Sequence, residues 1–240
     1  MRGRLEVRRD ALDALPETRR TAVAYSLSRC DAAIAKRVNE FASDLIIKNC
    51  KRHLSPTRGI EIEEPCFDPE DKVIHMDERV DDDEYAETFK HELGHFIDDK
   101  MGCPSCDEEF TCAIQADLDR FMSASTGIGM LGDMLGELME SPALEDRYLS
   151  DIFSAMFHEA DATRQWNAVE TAYGTLGVPI YGHEKDYWTG RRGPQNAVQL
   201  EVFADMFAIL SENNSETVQF VERWFPNTAS RFRTELERGV

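Results

Sequence analysis

His91-Glu92-Leu93-Gly94-His95 decides how the rest of this chain is read. On an α-helix, residues four apart share a face, with Cβ atoms roughly 5–6 Å apart, so two imidazoles at that spacing can reach one ion. Glu92 lies between them at the edge of that face. This is the H-E-x-x-H pattern, in which two histidines hold zinc and the glutamate serves as general base toward water. The competing reading is a solvated helix with two incidental histidines. The surroundings favour the metal. Asp81, Asp82, Asp83 and Glu84 supply an N-cap and the negative charge that a helix N-terminus prefers. Tyr85, Phe89, Leu93, Phe96 and Ile97 recur at three and four residues, an apolar stripe that would seat the helix in a core. Gly94 costs roughly 1 kcal/mol of helix propensity against Ala, which implies close approach of another backbone. Gly102 and Pro104 read as the stop, so the pattern predicts a helix over about 83–101.

A catalytic zinc usually has three protein ligands, and two histidines leave one to find. Asp98, Asp99, Lys100 and Met101 follow where a nearby third histidine would stand. An acid on a second helix is the other solution, and 196–208 offers one. Leu200, Phe203, Phe207 and Leu210 make an apolar face, while Glu201 and Asp205, four apart, share another with the small Ala204 and Ala208. Glu201 as ligand with Asp205 orienting a ligand histidine is one reading. A solvated acidic pair is the other, and Asp98, Asp99 and His183 are the next candidates for the ligand.

Two stretches carry a family likeness. His91-Glu92-Leu93-Gly94-His95-Phe96-Ile97-Asp98, followed by Glu201-Val202-Phe203-Ala204-Asp205-Met206-Phe207, resembles the anthrax lethal factor-like zincins, which pair an HExGHxxD helix with a later ExFA helix. The chain is more closely similar to the metallopeptidase domain associated with tailed-phage minor head proteins. That likeness runs over about 59–235 and includes Leu149–Ala155, Tyr181-Gly182-His183, Tyr187-Trp188 and Trp224-Phe225-Pro226. It implies Glu201 as third ligand to Zn²⁺, peptide-bond hydrolysis, and a setting in a phage or prophage with capsid or portal proteins as partners. Two departures stand out. The gap from His95 to Glu201 is longer than in the lethal factor catalytic domain. Pro194 and Gln195 occupy the neighbourhood where that family carries a tyrosine, so Tyr187 becomes the substitute.

The 240 residues are long enough for a sizeable core, and 42% hydrophobic with 30% charged residues is ordinary for a globular chain. A net charge of −19 opposes general nucleic-acid binding, which needs Lys and Arg for phosphates. Only the Arg-rich first twenty residues could bind nucleic acid, and weakly; a charged helix end is the preferred reading there. No apolar run reaches about 18 residues and Met1-Arg2-Gly3-Arg4 lacks the apolar stretch of a signal peptide, so the expectation is no membrane and a host cytoplasmic or virion-associated location. Six scattered Cys suggest a reducing environment. Cys103-Pro104-Ser105-Cys106 is half of a four-ligand zinc site without its other half, and reads as a turn with free thiols.

Ile34, Val38, Phe41, Leu45 and Ile46 predict one helix over 31–48, inside a helical N-terminal segment 1–50. From Gly59 to Met76, alternating Ile60 and Ile62 and then Val73-Ile74 predict a hairpin or meander, whose edge strand could bind an extended peptide; His75 reads as a strand residue. Residues 103–170 form a helical insertion with a Met-rich, Gly-spaced stripe, read as core rather than partner groove. The Gly-broken loop 171–195 offers His183 and Tyr187 as oxyanion donors or, equally, as loop anchors. Together these predict an α+β, zincin-like fold over 51–240, mainly helical, with a small mixed or antiparallel sheet before the HExxH helix. Two functions are carried forward: a zinc endopeptidase acting on protein or peptide substrates, and a non-catalytic head-assembly protein. A delivered toxin protease is a third.

Overall fold

The computed structural model describes residues 7–49, 53–54, 61–62, 65–122, 127–140, 187, 194–212 and 214–238. His183, Trp188 and, within the expected insertion, 123–126 and 141–170 with the 149–155 stretch lie outside them. The described chain is mostly helical, with one small mixed sheet: an α+β class. Helices α1 (Glu17–Leu27) and α2 (Ala32–Phe41) come first, followed by strand β1 (Ile46–Asn49). The short β2 (His53–Leu54) and β3 (Glu61–Ile62) pair with each other, and β4 (Cys66–Asp68) and β5 (Val73–Met76) form a hairpin. Helices α3 (Asp82–Lys100), α4 (Glu108–Met122), α5 (Gly127–Glu140), α6 (Ala197–Glu212), α7 (Ser215–Trp224) and α8 (Pro226–Glu237) complete the order.

The expected helix over 31–48 is corrected. It ends at Phe41, and Ile46–Asn49 is a strand lying parallel to β5, with Ile46 opposite Val73 and Ile47 opposite Ile74. From 45 to 48 the side chains run buried, exposed, half-buried, exposed, the period of two that a strand imposes. Apolar residues at 41, 45 and 46 satisfy the helical period, while Leu45 with Ile47 satisfies the strand's. The β-branched pair is claimed by β5, because pairing there satisfies backbone groups that a frayed helix end would leave to water. The sheet order is β1-β5-β4, so β1 and β4 are its outer strands, and β4 meets α3 where the Phe67 amide bonds Glu92. Lys72 closes the β4–β5 turn with φ 57°, and its ammonium reaches Asp99 of α3 at 2.6 Å.

Residues 7–49, set apart in the sequence as an N-terminal segment, share the central core. Leu12, Val23, Leu27, Ile34 and Val38 are buried in one cluster with Phe89 and Phe96 of α3 and Phe203 and Phe207 of α6. Arg8, Arg19 and Arg20 make bonds within the chain. The Arg19 guanidinium donates to the carbonyls of Glu78 and Val80 and sits 4.9 Å from the centre of the Tyr85 ring. Arg20 donates to the carbonyls of Asp13 and Leu15, and Arg8 to Asn39. In the Met-rich α5, Met134 is fully buried in the core, while Glu137 accepts from Arg223 and from the Trp224 indole. Among the described residues no helix is long and apolar enough to cross a membrane.

Candidate metal centre

Helix α3 is delimited by local chemistry. The Asp81 carboxylate accepts from the Glu84 amide at 2.9 Å, and Asp82, Asp83 and Glu84 fill the first turn. At the other end, the Cys103 amide reaches the Asp98 carbonyl at 2.8 Å and the Gly102 amide reaches Asp99 at 3.0 Å. That pair of bonds is a Schellman stop. It needs a left-handed residue after the last turn, and Gly102 supplies it at φ 85°.

Helix α6 lies antiparallel against α3: Lys90 pairs with Glu212, His91 with Asp205 and His95 with Glu201. It is buried nearly all round, from Ala197 through Ser211. Glu201 and Asp205 are therefore 5% and 0% exposed, which removes the reading of a solvated acidic pair. Gly94 is the contact point. A Cβ placed there would stand 2.8 Å from the Ala204 Cα and 3.0 Å from its carbonyl oxygen, so the two backbones touch. Gly94→Ala should therefore cost roughly 1–3 kcal/mol through overpacking, despite the gain of about 1 kcal/mol in helix propensity. Denaturant unfolding of the variant checks this, and unchanged stability would mean that the helices separate without cost.

The close approach brings three donor atoms together. His91 Nε2 is 3.1 Å from Glu201 Oε2, His95 Nε2 is 3.3 Å from the same oxygen, and the two Nε2 atoms are 3.2 Å apart. Zinc bonds of about 2.0–2.1 Å in a tetrahedron imply ligand separations of about 3.3 Å, so this triangle fits one face of a zinc coordination shell. Two imidazole nitrogens with a carboxylate also suit zinc better than magnesium or calcium. Among the described residues, His91, His95 and Glu201 are the group able to hold a metal.

Asp205 Oδ1 stands 2.9 Å from His91 Nδ1. With the proton on Nδ1, the imidazole donates to the carboxylate and turns the Nε2 lone pair toward the triangle. Burial works to lower the pKa of His91, but the hydrogen bonds to Asp205 and Glu201 outweigh it and hold the value well above the ordinary range. For His95 burial also lowers and the charge of Glu201 raises, with a net rise. Burial alone would raise Glu201, yet the two imidazoles hold it well below the usual carboxylate range. A cation entering this cluster would displace protons from the imidazoles and take over their partnership with Glu201.

Glu92 is 7% exposed and lies beside the triangle rather than in it. Its Oε2 accepts from the Phe67 amide of β4 at 2.7 Å, and the Phe67 ring meets Phe96 edge-on at 6.0 Å. Tyr187 donates its hydroxyl hydrogen bond to Glu201 Oε1. The sequence reading aimed Tyr187 at an oxyanion; here its hydroxyl meets a carboxylate of the cluster instead. Asp98, a reserve ligand candidate, accepts from the Ser105 amide at 3.0 Å and the Ser105 hydroxyl at 2.5 Å. Burial pushes its pKa up to about 6 against those bonds. Asp99 is paired with Lys72. His75 is buried on β5 and takes no part in the cluster. Burial pushes the Cys103 thiol up to about 11, leaving it protonated at neutral pH, and Cys106 Sγ accepts from Asn196 at 3.3 Å.

Sequence reasoning missed the Phe67 amide on Glu92, the Ser105 bonds to Asp98 and the pairing of the buried Lys90 with the half-buried Glu212. Ser105 lies between two cysteines, whose spacing is the stronger local signal. The others join residues 25 and 122 positions apart and have no local signal. No family model matches this chain, and no match was found among curated proteins or among solved structures.

Proposed function

We propose that this protein is a zinc-dependent metallopeptidase of zincin-like fold. The observation that carries the reading is the triangle of His91 Nε2, His95 Nε2 and Glu201 Oε2, with sides of 3.1–3.3 Å. Two histidines and a glutamate are the donor set of many catalytic zinc sites that keep one position open. Zinc held there would supply Lewis acidity toward a peptide carbonyl and toward water. Asp205 keeps His91 in the tautomer that presents Nε2. Glu92, one residue from the first ligand and outside the donor set, would take a proton from the attacking water and return it to the leaving amine. Strand β4 is one of the sheet's two outer strands among the described residues, and its Phe67 amide bonds Glu92 directly. An extended peptide added along β4 would use main-chain hydrogen bonds and lie across the site.

Elemental analysis should find zinc in the purified protein, and digestion of casein or a peptide library should stop with chelator. Asp205→Ala is expected to weaken zinc binding about 10–100-fold, and Glu201→Ala more than that. Full zinc occupancy in Glu201→Ala would remove the ligand on which the reading stands.

A further inference from the structure

Glu201 has two carboxylate oxygens, and the nearest approach of each imidazole is to the same one, Oε2. Oε2 faces both Nε2 atoms, at 3.1 and 3.3 Å. Oε1 accepts the hydrogen bond from the Tyr187 hydroxyl. The Glu201 side chain is 6% exposed, so bulk water has little access to replace that donor. The Tyr187 ring packs against the hydrophobic core, which holds the hydroxyl in place.

We propose that Tyr187 is a positioning residue that makes Glu201 a one-oxygen ligand: its hydroxyl occupies Oε1 and commits Oε2 alone to the triangle with His91 and His95. The inference rests on the metal-site reading above. A carboxylate can meet a cation through one oxygen or through both. Binding through both would raise the coordination number and consume the position that a catalytic zinc keeps open. With the phenol on Oε1, a second bond would first require breaking a hydrogen bond to a charged acceptor, which is among the stronger kinds. The role differs from oxyanion stabilisation. An oxyanion donor must point at the reacting carbonyl, whereas this hydroxyl points at a ligand carboxylate.

Cobalt(II) is the probe, because its visible absorption is intense in four-coordinate sites and weak in sites of higher coordination. Wild type, Tyr187→Phe and His95→Ala are stripped with chelator and titrated with cobalt(II) and with zinc. Wild type is expected to show the intense four-coordinate band. Tyr187→Phe, which keeps the ring and its packing, is expected to bind zinc about 10–100-fold more weakly and to lose band intensity. A weak, high-coordination spectrum in wild type would overturn the proposal without reference to any variant. If wild type binds through the triangle and Tyr187→Phe matches it in affinity and spectrum, the proposal falls while the metal site stands; a loss confined to activity would then make Tyr187 an oxyanion donor. If wild type takes up no metal, or His95→Ala binds it equally well, the metal-site reading falls and the proposal with it.

Discussion

Glu92→Gln should lower peptide hydrolysis by roughly 10²–10⁴-fold, the span expected when a positioned general base is removed. The substitution isolates proton transfer. Glutamine has the same shape, and its carbonyl oxygen can still accept from the Phe67 amide that Glu92 Oε2 meets at 2.7 Å, so the contact between α3 and β4 survives. What disappears is a basic oxygen, since an amide does not take a proton near neutral pH. Metal content should hold, because Glu92 contributes no atom to the donor group. Its charge also helps to raise the pKa of His91, so removing it makes that imidazole slightly easier to deprotonate. The measurement is kcat/KM on a peptide substrate beside zinc content for the same preparation. Activity at the wild-type level with full zinc would end the assignment of Glu92 as base.

The largest loss of stability is expected from Asp117→Ala, roughly 2–6 kcal/mol, because the two buried Thr228 donors would be left without an acceptor at about 1–3 kcal/mol each. Asp117 on α4 is fully buried and accepts four bonds at the start of α8: from the Asn227 amide at 3.2 Å, Asn227 Nδ2 at 2.7 Å, and the Thr228 amide and hydroxyl, both at 2.8 Å. Pro226 opens that helix and has no amide hydrogen, so Asn227 and Thr228 carry the first donors that need a partner. A negative charge at a helix N-terminus is also favourable in its dipole field. The far end is held in the complementary way: the buried Arg37 guanidinium donates to the Leu236 carbonyl at 2.9 Å and to the Arg238 carbonyl. Phe232 of α8 packs edge-on against Phe203 at 4.8 Å, two residues from Glu201, so loosening α8 should also weaken metal uptake. Asp117→Asn keeps the shape and one acceptor oxygen and should lose less than Asp117→Ala. Guanidinium unfolding of the two variants gives the order, and the reverse order would sink the idea of a charged cap.

Helix α3 was legible almost residue by residue. Its Asp81 cap, acidic first turn, apolar stripe and Gly102 stop are all decided by partners within a few positions of one another. Gly94 announced a close neighbour, although not which one. The four-residue spacing of Glu201 and Asp205 announced a pair on one face, while the choice between solvated and buried acids waited on the tertiary structure. The periodicity at 41, 45 and 46 misled, because one short apolar run fits a helix end and a strand equally well until a partner strand is present.

What the amino-acid sequence by itself determined are the features with short memory: helix limits, caps, the i and i+4 histidines, and the small residues that let one backbone approach another. Only the tertiary structure decided that Ile46–Asn49 is a strand beside β5, that Glu201 faces both imidazoles, that the Phe67 amide holds Glu92, and that Asp117 and Arg37 clamp α8 at its two ends. Each of these joins residues 25 to 199 positions apart. Such pairs carry no periodic signal, because the entropy of closing so long a loop is offset only by the burial that the whole core provides at once.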